Sequence, residues 1–208
     1  MLFNNPFVML LALLLGVASP HSAQQYQEYR LAPAESSFRV FVGKAGLFSA
    51  LAHDHNIGIR SYAGKVTLAP TAIAASRLEL RADTRSMVVL DEKISDRDRE
   101  KITRSMHEEV LESARYPEAI FRSTGIAGLK EQGRGEFSLL LQGDLTLHGQ
   151  TRSITIPVTL RTAPGQLRAT GRYLLRQTDF GIRPYSTAGG TIKVKNEVVI
   201  EFEITARS

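Results

Sequence analysis

The sequence predicts a mainly β protein: an antiparallel β-barrel of about eight strands with one helix at about 95–113. Three observations point there. Apolar and polar residues alternate with a period of two in segment after segment, so each segment offers one face to a core. These segments are short and joined by short loops, the pattern of an antiparallel sheet. Only one stretch, Ser95 to Glu112, changes to a helical period. So many alternating strands most simply close on themselves. About eight leave an interior for side chains or one small ligand.

The first 23 residues are expected to be a signal peptide, and 24–208 a single barrel domain. Phe7 to Ala18 is an unbroken apolar run, too short to span a bilayer and of signal-core length. Small residues precede the expected cut after Ala23. No Lys or Arg stands before Phe7, and His21 is bulky for its place, so an N-terminal membrane anchor is the alternative. There is no cysteine, which excludes disulfides, thiol catalysis, thiolate metal sites and an anchor on an N-terminal Cys. Export without disulfides fits a bacterial periplasm.

In order, Ser37 to Gly43 places Phe38, Val40 and Val42 on one face. His53 to Tyr62 is a second strand, with His53, His55, Ile57 and Ile59 in phase. Gly64 introduces a third, in which Val66 and Leu68 alternate with Lys65 and Thr67. Arg77 to Asp83 alternates cleanly, with Leu78, Leu80 and Ala82 opposite Arg77, Glu79 and Arg81. In the helix, Ile102, Met106 and Val110 fall at i, i+4 and i+8. Ser95 with Asp98 resembles a capping box. Glu100–Arg104 and Arg104–Glu108 are expected ion pairs, and Pro117 stops the helix.

Ala119 to Thr124 returns to strand. Phe137 to Leu160 is a long hairpin with Leu139, Leu141, Leu145 and Leu147 on one face of its first strand and Ile154, Ile156, Val158 and Leu160 on one face of its second. Pro157 cannot donate to a ladder, so a bulge or an open edge is expected there. Gln166 to Thr178 and Thr191 to Ala206 complete the set.

The net charge of +5 is spread along the chain and interleaved with acids. No basic block suggests nucleic acid; a transient contact with a membrane surface is the most the charge implies. A Ser–His–acid enzyme lacks a G-x-S-x-G elbow, and there is no P-loop or dinucleotide fingerprint. The sharpest polar feature is His53-Asp54-His55, whose imidazoles share a side of the strand. With His148 they could hold a metal, which makes a metal-dependent or redox enzyme the alternative function. They could equally meet a ligand head group at the rim, or bond only to backbone and water.

Four stretches together resemble the YceI-like family: Gly64 to Val66, Tyr116 to Ser123, Gly143 to Arg152, and Asp179 to Ile182. The resemblance runs from about Tyr29 to Ala206. It implies an exported, lipocalin-like barrel that encloses a long isoprenoid lipid, a polyprenol or an isoprenoid quinone, for carriage, storage or stress protection. It implies binding and not catalysis, with no catalytic residue to carry over and no cofactor besides the lipid. Strand parity assigns the interior to Phe38, Val40, Val42, Leu78, Leu80, Phe121, Leu139, Leu141, Leu145, Ile154, Ile156, Tyr173, Ile200 and Phe202. Parity alone does not distinguish a hollow barrel from a filled one.

Overall fold

The computed structural model describes residues 25–45, 54–187 and 192–208. The strands are β1 (Gln27–Leu31), β2 (Ser37–Ala45), β3 (His55–Ile59), β4 (Tyr62–Leu68), β5 (Arg77–Asp83), β6 (Met87–Val89), β7 (Glu118–Gly133), β8 (Glu136–Leu147), β9 (Gln150–Ala163), β10 (Gln166–Arg176), β11 (Ser186–Thr187) and β12 (Ile192–Arg207). One helix, α1 (Asp96–Ser105), lies between β6 and β7. No described helix is long and apolar enough to cross a membrane. The leader expected at 1–23 lies outside the described residues.

Eight strands form a closed antiparallel ring in the order β1-β4-β5-β7-β8-β9-β10-β12, with β12 returning to β1. The closure is split along β12. Its last residues pair with β1 (Arg30 with Arg207, Leu31 with Ala206), while the stretch from Lys193 to Glu203 pairs with β2. Beyond β2 the wall continues into β3 and β6. The predicted strand from His53 to Tyr62 is therefore two strands with a corner at Arg60-Ser61. Ser61 is held there by its carbonyl, which accepts from Asp83 N–H at 2.9 Å.

The central hairpin, β8–β9, pairs without a break from Glu136 opposite Arg161 to Leu147 opposite Gln150. Its two-residue turn is His148-Gly149, with φ of 50° and 72°. Positive φ at both positions gives the turn the twist that strands joined by two residues need. Gly143, midway along β8, leaves room for an aromatic ring. A Cβ there would come within 2.4 Å of Phe121 Cζ.

Pro157 lies opposite Leu140 in the β8 ladder, but the β9–β10 ladder ends at Val158 opposite Gly171. From there β9 continues with β8 alone and β10 with β12 alone. The open edge expected at Pro157 is thus a divergence of two strands. The turn after β10, Gln177–Phe180, packs into this divergence and buries Phe180 and Ile182.

The helix is shorter than 95–113. Ser95 caps it, its Oγ accepting from Asp98 N–H at 3.1 Å, and Glu100–Arg104 forms at 2.8 Å. At Met106 the pitch widens into a π turn, Met106–Val110, closed by Leu111 N–H to Met106 O. The expected Arg104–Glu108 pair does not form: Arg104 turns back to Glu100, and one position on Ser105 Oγ donates to Glu109 at 2.8 Å. The wider turn sets Met106, Val110 and Leu111 together over the barrel.

Candidate functional site: a cavity along the barrel

The inward faces of the strands do not fill the barrel. They leave a cavity of about 300 Å³, at the lower end of the volume range of ligand pockets. Its wall runs from Leu68, Ile73, Leu167 and Ala206 at one end to Met106, Val110, Leu111, Leu147 and Ile182 at the other, and is almost entirely carbon. Leu139 and Leu147, eight residues apart on β8, both line it, which makes it about 20–25 Å long.

The two ends are built differently. At the first, Tyr29, Leu68, Ile73, Leu167 and Ala206 form an apolar cluster that closes the barrel floor. At the second, a cap from α1 to Tyr116 is tied down by polar bonds. Arg99 donates to the carbonyl of Val89 at 2.7 Å and to that of Asp91. His107 Nε2–H donates to Met87 O at 3.0 Å, and its Nδ1 lies 2.9 Å from Ser113 Oγ. Thr84 Oγ1 donates to Tyr116 O at 2.7 Å, and Thr84 N–H to Pro117 O.

Three of the four stretches that carry the family resemblance converge at this capped end. The Tyr116 ring lies 4.2 Å from the imidazole of His148 and covers Gly149, where a Cβ would come within 2.9 Å of Tyr116 Cε1. Gly181, at φ 71°, also stands close to His148; a Cβ there would lie 3.9 Å from Nδ1. His148 Nε2–H donates to Glu112 Oε2 at 2.8 Å. Glu112 and His148 are the two non-glycine residues of positive φ among those described, and they hold one another. These residues shape the junction of cap and barrel; they do not face the lumen.

All fourteen residues assigned to the interior by parity line the cavity. The histidines have other surroundings. His53 lies outside the described residues. Asp54 Oδ1 accepts from the backbone N–H of Lys44 at 3.0 Å. His55 Nδ1 pairs with Asp91 Oδ2 at 2.7 Å, and the second oxygen of Asp91 accepts from Asn56 N–H. His55 and His148 thus sit on separate carboxylates, and neither lines the cavity. Among the described residues no three His, Asp or Glu side chains converge on a point that could hold a metal. Parity did not identify the cap residues of the wall, Met106, Val110 and Leu111. The helical spacing of Met106 and Val110 was legible; Leu111 and the π turn that aims all three were not.

A closed antiparallel barrel with one capped end and an apolar lumen is a lipocalin-like architecture. The comparisons with known proteins narrow the class. The chain belongs to the YceI-like domain family, which matches residues 29–206. A UPF0312 protein of Vibrio cholerae serotype O1 is 36% identical over 126 residues, covering 58% of this chain and 60% of that protein. The match therefore spans less than two thirds of the relative's length. Burkholderia cenocepacia BcnA superposes with a TM-score of 0.65 at 18% identity, over 84% of this chain and 98% of BcnA. A polyisoprenoid-binding domain from Saccharophagus degradans superposes with a TM-score of 0.62 at 15% identity, over 86% and 98%. These two likenesses establish the fold.

Proposed function

We propose that this chain is an exported lipid-binding protein of the periplasm that encloses a long isoprenoid amphiphile, a polyprenol or an isoprenoid quinone, in its barrel. The observation that carries this reading is the cavity: it is apolar and is lined from the floor of the barrel to its cap. An empty apolar cavity forfeits contacts that packed side chains would make. A hydrocarbon chain restores them. Each buried CH2 contributes about 0.8 kcal/mol, so each isoprene unit contributes about 4 kcal/mol before ordering costs. The Saccharophagus degradans neighbour, a polyisoprenoid-binding domain, supports the same reading.

The role is carriage, storage or protection of the lipid, and not catalysis. The residues that bind are the fourteen of the wall together with the cap residues Met106, Val110 and Leu111. Mass spectrometry of an organic extract tests the proposal, on protein purified from its natural compartment without detergent. A stoichiometric polyprenyl compound is the expected result. Protein that is folded but yields no lipid, and takes up none from prenyl lipid vesicles, would overturn it.

A further inference from the structure

The lumen has few polar side chains, and most are occupied. Ser76 Oγ accepts from Ala69 N–H, and Ser123 Oγ from Leu78 N–H. Thr84 is bonded to Tyr116 O, Arg77 to the carbonyls of Ala75 and Ser76, and Asp83 to Arg85. Two remain, Tyr173 and Gln177, on one line of the wall at the end of β10.

Gln177 is 6% exposed. Its Nε2 donates to Lys195 O at 2.8 Å, which fixes the amide orientation, since a carbonyl accepts only from the nitrogen. The flanking turn is clamped as well. Asn196 Oδ1 accepts from Thr178 N–H at 3.0 Å, and Asn196 Nδ2 donates to Thr178 Oγ1 at 2.9 Å. Gln177 Oε1 is left with no partner among the described residues. Such an oxygen on an apolar wall needs a donor. The hydroxyl of Tyr173, four residues earlier on the same face, has no partner among the described residues either, and burial, with the charge of Asp179, raises its pKa.

We propose that Gln177 Oε1 is the seat of the ligand's polar end and that it selects a head group bearing a hydroxyl. This inference rests on the lipid-binding reading. A prenyl alcohol or a reduced quinol donates a hydrogen bond to Oε1. A hydrocarbon, an ether or a fully oxidised quinone has no O–H to offer and leaves the acceptor bare. Tyr173 is a second polar contact, able to donate to the same head group. A pocket with a buried group that needs a hydrogen bond rejects analogues that lack it more strongly than an apolar pocket rejects extra bulk.

The test uses the delipidated full mature chain and two probes, geranylgeraniol and its O-methyl ether. The pair share a tail and differ in the donor. The alcohol is expected to bind about ten-fold more tightly, the size of one hydrogen bond with its desolvation. Tyr173→Phe should weaken the alcohol by a smaller factor. Gln177→Met should bring the two probes to equal affinity; if that variant does not fold, the wild-type comparison decides alone. Equal affinities in the wild type would overturn the head-group assignment while leaving lipid binding intact. Failure of both probes to bind would overturn the lipid-binding reading as well.

Discussion

The two ends of the barrel close in opposite ways. The floor is sealed by apolar packing: Tyr29, Leu68, Ile73, Leu167 and Ala206, each less than a tenth exposed. The cap is held by side-chain bonds to backbone carbonyls and by the pair of His148 and Glu112, and its own apolar residues, Val110 and Leu111, are only partly buried. Apolar packing is lost only by unfolding, since its free energy scales with the area removed from water. A few hydrogen bonds at a partly wet rim are each worth about 1 kcal/mol. They can be broken one by one without unmaking the barrel. The floor therefore bears on stability and the cap on access to the lumen, and mutations at the two ends should separate these effects.

The largest effect is expected at the floor. Leu167→Ala removes a side chain that is 3% exposed and should cost about 3 kcal/mol, read as a lower urea midpoint at unchanged slope. At the cap, Val110→Ala should cost about 1 kcal/mol, because Val110 is partly buried and its neighbours can relax toward the lumen. Its mark should be faster exchange of a fluorescent prenyl probe. A cap substitution that destabilised the protein as much as Leu167→Ala would abolish the contrast.

His148→Asn sharpens the comparison further. Asn tolerates the positive φ at this turn, so the hairpin should form, while the bond to Glu112 is lost. The Glu112 side chain is 40% exposed, so the pair is screened and the loss should stay within about 1 kcal/mol. Probe exchange should quicken more than stability falls. The smallest effect is expected at the exposed pair Asp83–Arg85. The Arg85 guanidinium holds the Asp83 carboxyl below its usual range. A carboxyl depressed in the folded state stabilises at neutral pH, and that help fades as pH falls through its folded pKa. Asp83→Asn should therefore lower the urea midpoint slightly at pH 7, with the difference vanishing in strong acid.

Much of the barrel was legible in the sequence because its strands alternate over long runs with one buried face. The hairpin from Phe137 to Leu160 is the clearest case, and Pro157 marked where β9 and β10 part. The strand at Gln27–Leu31 was not legible. Its five residues carry two charges, and it is a strand only because β4 and the end of β12 supply partners on both sides. The cap was half legible: the capping serine and the Glu100–Arg104 pair follow from spacing, whereas the π turn at Met106–Val110 departs from the regular helical period that the spacing predicts. Gln177 gave no signal at all. It falls near the end of the predicted strand Gln166 to Thr178, in phase with Tyr173 and Leu175, and a single polar residue there says nothing of a role until the fold shows its nitrogen fixed and its oxygen bare.

The central claim is that the lumen, and not the outer surface, holds the ligand. Leu140 and Leu141 are neighbours on β8; Leu141 lines the cavity and Leu140 is 40% exposed on the outer face. The most direct measurement compares lipid occupancy, by native mass spectrometry, in Leu140→Arg and Leu141→Arg, with circular dichroism to verify the barrel in each. Leu140→Arg should carry lipid at the wild-type level, and folded Leu141→Arg should carry none. Full occupancy in folded Leu141→Arg, or loss of lipid in Leu140→Arg alone, would contradict a ligand site inside the barrel.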